Sequence, residues 1–195
     1  LNNLGVLCEF SAKPYIALEN YQESVALYCE FYLQGNQSLT DDIYRGLNNL
    51  KDICDTLSAH QDFTNVLRAQ ITIAETWEKL LSVNSDFQSQ TAIAQGRLAW
   101  YALFAQQFHE ARTAALRALE LDPDGVWVNT NLALAELFLG HEEAAKEIYL
   151  SFKDKPFPGD QTGRTFREVF LADMDELASK GITAPAFEKA KKWLQ

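Results

Sequence analysis

Three histidines, three cysteines and a few adjacent carboxylates are the residues of this chain whose types could do chemistry. His60, His109 and His141 all fall at or near expected hairpin turns, and two of them could share a metal ion only if those turns met. Packed helices hold like turns about 10 Å apart, too far for one ion. The chain has neither H-E-x-x-H nor C-x-x-C. Cys8, Cys29 and Cys54 are an odd number, and Cys8 and Cys54 lie on apolar helical faces, so they read as reduced core thiols. Gly159-Asp160-Gln161-Thr162-Gly163 has no following Lys and no preceding strand, unlike a phosphate loop. Asp41-Asp42 and Glu142-Glu143 read as solvated or helix-starting charges. Asp173 and Asp175 flank Met174 at a helical spacing that splays them apart, and they read the same way. No residue is flagged as a nucleophile. The expectation is a protein with no catalytic residue, no metal and no cofactor.

The composition agrees with a binding role for a packed fold. Of 195 residues, 47% are apolar and 23% charged, so a hydrophobic core is within reach. The net charge of −10 disfavours nucleic acid and anionic membranes, which need clustered Lys and Arg. It is the charge of a soluble acidic surface and, secondarily, of one that attracts a cationic partner. No apolar run approaches the 18 residues or so of a membrane span. No signal peptide is visible, which favours the cytoplasm. The chain opens at Leu1 in an apolar helical pattern, LNNLGVLCEF, and reads as a piece of a longer protein.

The helical period dominates throughout and predicts an all-α fold. An opening helix over about 1–12 stops near Pro14. A long helix follows to about residue 34 and ends at Gly35-Asn36. Ser38, with Asp41 three residues on, is placed to cap a helix running to about His60. Asp62 starts the next, to about Val83. Asn84-Ser85-Asp86 forms a turn and cap for a helix to about Ala105. Helices over about 107–121, 125–139 and 142–153 follow, with Gly140 as a left-handed stop between the last two. Lys153 to Gly163 is a loop. Thr165 and Glu168 form a capping box for a helix to about Lys180, whose apolar stripe is Phe166, Val169, Phe170, Met174 and Leu177. Gly181 ends it, and a last helix carries Phe187, Ala190, Trp193 and Leu194.

Two stretches match at a shift of 34 residues. Leu98, Ala99, Leu103, Phe104 and Ala111 recur as Leu132, Ala133, Leu137, Phe138 and Ala145. With Ala118 and Pro123 closing the first unit, this resembles the tetratricopeptide repeat, in which small residues let paired helices approach closely. The second unit departs from that pattern at Glu142, where an aromatic residue is usual, and lacks Pro at its expected end. A looser echo pairs Leu1-Asn2-Asn3-Leu4-x-x-x-Cys8 with Leu47-Asn48-Asn49-Leu50-x-x-x-Cys54 at a spacing of 46. The resemblance implies a right-handed superhelix of four hairpins, at 1–36, 38–84, about 86–125 and 126–159. Residues 160–195 lie outside the repeat and read as a terminal cover. The end of the chain is similar to the ends of bacterial tetratricopeptide arrays.

The resemblance also implies a function: a protein-interaction module that takes a peptide or helix of a partner in a concave groove. The alternative is a structural or oligomerisation segment of a larger protein. Matched to the family's groove, the polar positions are Asn3, Arg45, Asn48, Asn49, Arg97 and Asn131. The aromatic ones are Trp100, Phe104, Trp127 and Phe138. An amide can both donate to and accept from a peptide backbone, and Arg97 can pair with a carboxylate. The two-carboxylate clamp of chaperone-binding members needs Lys where this chain has Asn2 and Ile93, so that ligand is not expected. The C-terminal helix, with Phe187, Trp193 and Leu194, could itself lie over Trp100, Phe104, Trp127 and Phe138.

Overall fold

The computed structural model describes Asn3, Gly5 and residues 13–195. Nine α-helices lie among these residues: α1 (Pro14–Leu33), α2 (Thr40–Ala59), α3 (Phe63–Leu81), α4 (Gln88–Phe104), α5 (Phe108–Leu121), α6 (Asn129–Phe138), α7 (Glu142–Phe152), α8 (Phe166–Ser179) and α9 (Phe187–Leu194). The fold is all-helical. Among the described residues there is no β-strand, and Pro156 and Thr165 form one isolated antiparallel bridge. No described helix is long and apolar enough to cross a membrane. Asn3 and Gly5 are helical. The remaining residues of the expected opening helix, Asn2, Leu4 and Cys8 among them, lie outside the described residues.

Three helix pairs are built alike. A 3₁₀ turn leads into each first helix: Gln37–Leu39 into α2, Ser85–Phe87 into α4, and Val126–Val128 into α6. Each first helix then ends on one left-handed residue, Gln61 (φ 58°), Gln106 (φ 57°) or Gly140 (φ 79°). The residue after it donates back five positions. Asp62 reaches the Leu57 carbonyl at 3.0 Å, Gln107 that of Ala102 at 2.8 Å, and His141 that of Glu136 at 2.9 Å. These paired bonds satisfy carbonyls that a helix end leaves open and reverse the chain within three residues. Glycine takes that conformation without strain, whereas the two glutamines carry a Cβ penalty.

The capping expected at Ser38 is not what forms. The Ser38 hydroxyl donates to Asn36 Oδ1 at 2.7 Å, and the residue preceding α2 is Leu39, with no side-chain cap. The 3₁₀ turn runs straight into α2, so its own carbonyls take the first helical N–H groups. Asp62 does cap α3, accepting from the Asn65 N–H at 3.2 Å. At α8, Glu168 Oε2 accepts from the Thr165 N–H at 2.7 Å and from its hydroxyl at 2.9 Å.

The chain divides into two compact units, residues 1–94 and 95–195, the boundary falling inside α4. In the first, α1 packs on both α2 and α3, and α2 on α3. The core there includes Leu18, Tyr21, Val25, Ile43, Leu50, Ile53, Leu57 and Leu80, with Cys29 and Cys54 buried as thiols outside any disulfide. Burial raises the Cys29 thiol above its ordinary pKa. Gly46 lets α1 and α2 close up, because a Cβ there would stand 2.5 Å from Val25 Cγ2. In the second unit, α6 packs between α5 and α7, α8 packs on α6 and α7, and α9 packs on α7 and α8. Alanines 111, 114, 115, 118, 133 and 135 are all buried, so these helices approach closely along small side chains.

Candidate functional site

Helical spacing on three elements of the second unit brings one set of side chains together. Arg97, Trp100 and Tyr101 lie within one turn of α4. Trp127, Thr130 and Asn131 do the same across the 3₁₀ turn and the start of α6. Val169 and Asp173 are one turn apart on α8, and Phe157 comes from the preceding loop. Together they line a cavity of about 300 Å³. Four residues expected in the groove, Arg97, Trp100, Trp127 and Asn131, are thus assembled in one place.

Gly96 makes that assembly possible. A Cβ at this position would stand 2.4 Å from Cη2 of Trp127, so only a glycine lets the indole pack this close to α4. Asn131 fastens the same junction: its Nδ2 donates to the Gly96 carbonyl at 3.0 Å, and its side chain is buried. Part of the bonding capacity expected for a ligand is therefore used to join two helices. Trp100, half-buried, meets the buried Phe104 edge-on at 4.9 Å, and Phe104 supports the wall from behind.

The terminal segment is arranged differently from the expectation that α9 would lie over all four aromatics. Phe138 stacks on Phe108 at 4.2 Å and receives the edge of Phe187 at 5.4 Å, so α9 covers this residue. Trp193 lies 6.3 Å from Tyr149. The element that reaches the cavity of Trp100 and Trp127 is α8, with Phe157. The apolar stripe of α8 faces α6 and α7, which leaves its flank along the cavity.

Asp173 is the residue that sequence reasoning missed. Expected as a solvated charge, it instead lines the cavity, and its carboxyl is pushed up to about 7. Burial is the main cause and the charge of Glu176 adds to it. A hydrogen bond from Thr130 and the charge of Arg164 act the other way. The signal was present in the stripe, since Asp173 stands one turn after Val169 and Phe170, on the edge of the face that α8 buries. Tyr149 nearby is fully buried, and its hydroxyl has no hydrogen-bond partner among the described residues. Burial, reinforced by Asp173, holds that phenol well above its ordinary pKa.

The expected polar positions of the first unit form no comparable cluster. Asn3, Arg45 and Asn48 are exposed and Asn49 is half-buried. Arg45 pairs with Asp42 at 3.4 Å on its own helix, a weak surface interaction. The histidines lie at helix ends, and His141 Nδ1 is 2.6 Å from Glu136 Oε2. Glu136 is buried and also accepts from Arg112 Nε at 2.8 Å, so this trio ties the α6–α7 turn to α5. Among the described residues no three His, Cys, Asp or Glu side chains converge as metal ligands.

The cavity can therefore hold a group by burying it against indole and phenyl rings, with a guanidinium on α4 and a carboxyl on α8 as charged contacts. No family model matches the chain, and neither does any curated protein.

Proposed function

We propose that this chain is a protein-interaction module of the tetratricopeptide type, binding without catalysis a peptide segment or helix of a partner. The observation that carries the reading is the cavity of about 300 Å³ in which half-buried Trp100 and Trp127 stand beside Arg97 and Asp173. Aromatic residues and Arg are the side chains that most often dominate binding energy at interfaces. The three like-built hairpins and the 34-residue repetition support the family reading. Peptide display against the full chain tests it, with selected peptides re-measured on an Arg97→Ala/Trp100→Ala variant. Binding weakened more than tenfold is expected, and peptides that hold the variant as tightly as the parent would refute the site.

A second reading, an assembly segment, is favoured by one observation. Leu27, Phe31 and Leu33 near the end of α1 are 38%, 50% and 41% exposed. Light scattering over a hundredfold concentration range distinguishes it, since a strict monomer at the highest concentration would refute it.

A further inference from the structure

The cavity carries charges of both signs on different walls. Asp173 projects from α8 and Arg97 from α4, and no ion pair joins them. Among the described residues no cation pairs with Asp173 at all. Arg164, the cation that influences it, is engaged with Asp160 at 2.5 Å. A carboxyl partly withdrawn from water without a cationic partner is a costly arrangement when ionised, and a ligand cation would offset that cost. Beside it are two indoles, the aromatic faces that attract cations most strongly. The net charge of −10 draws basic partners toward the whole chain. A volume of about 300 Å³ is at the small end for ligand sites, suited to a side chain rather than a whole helix.

Deepening the peptide-binding reading on which it rests, we infer that the cavity receives a lysine or arginine side chain of the partner segment. Its aliphatic stem lies against Trp100 and Trp127, its charged end meets Asp173, and an acidic neighbour in the same segment faces Arg97. The acidic neighbour follows from Arg97, which would repel a segment of purely positive charge.

The test uses the full chain and acetylated, amidated octapeptides of Ser and Gly with a central Lys-Asp pair, titrated by tryptophan fluorescence and calorimetry. Replacing the peptide Lys by Leu should weaken binding at least tenfold, as expected for loss of a charge-assisted hydrogen bond. Asp173→Asn should weaken the Lys peptide to the same degree and change the Leu peptide less than twofold. Arg97→Gln should weaken only peptides that keep the Asp. Equal binding of the Lys and Leu peptides overturns this inference and leaves the peptide site standing. Binding by no peptide overturns both. Free lysine binding as tightly as the peptide marks a small-amine site, which also overturns it.

Discussion

Asp173→Asn should make this protein more stable at alkaline pH and leave it unchanged in acid. The carboxyl has an ordinary pKa of 3.8, and in the fold it is pushed up to about 7. The folded chain therefore holds this proton more tightly than the unfolded chain does. Unfolding releases it between about pH 4 and pH 7, so the stability contributed by the neutral acid is complete below pH 4 and lost by about pH 7. At 1.36 kcal/mol per tenfold change in acidity, the full displacement corresponds to roughly 4 kcal/mol. Asp173 is only partly buried, and solvent screening reduces the realistic loss to about 1–3 kcal/mol. Asparagine keeps the shape and remains neutral at every pH. Urea denaturation followed by tryptophan fluorescence should therefore find Asp173→Asn more stable than the parent by about 1–3 kcal/mol at pH 8. The two should agree at pH 4. A difference that does not change with pH, or a parent more stable than the variant at pH 8, would refute the assignment of Asp173 as a partly buried acid without a cationic partner.

Three further substitutions test the scaffold. Gly96→Ala drives a Cβ into the Trp127 ring; overpacking of about 1–3 kcal/mol outweighs the helix-propensity gain of up to ~1 kcal/mol. Thermal melts should show a net loss together with altered fluorescence from Trp127. Gln106→Gly relieves a left-handed residue at φ 57°, and calorimetry should find the protein more stable by about 0.5–1 kcal/mol. Asp62→Ala removes the cap of α3 and should cost about 1 kcal/mol at neutral pH. Hydrogen bonds from Asn65 hold the Asp62 carboxyl below its ordinary pKa. Its contribution is thus present above about pH 4 and lost as pH falls through the lowered value, so the two chains should converge in acidic urea titrations.

The helices were legible in the sequence because each obeys a local rule. Gly140 and Gly181 stop helices where the sequence places the stops, both in the left-handed conformation, at φ 79° and 76°. Asp62 and Glu168 bond the N–H groups expected of them. The local reading fails where two rules compete, as at Ser38, whose side chain satisfies its own turn before it can serve the helix. Four of the nine residues that line the candidate site were legible too: Arg97, Trp100, Trp127 and Asn131 came from the repeat and share one cavity.

By itself the sequence determined the α class, most of the turns, the helix face that bears Trp100 and the repeat position of Trp127, since periodicity and capping act over a few residues. Only the tertiary structure decided what those faces meet. It put α9 on Phe138 and α8 beside the indoles, it spent the Asn131 amide on the Gly96 carbonyl, and it turned Asp173 from a surface charge into a cavity acid. Burial and the ionisation that follows from it depend on side chains far apart in the chain, 76 residues apart for Arg97 and Asp173. No local pattern encodes their approach.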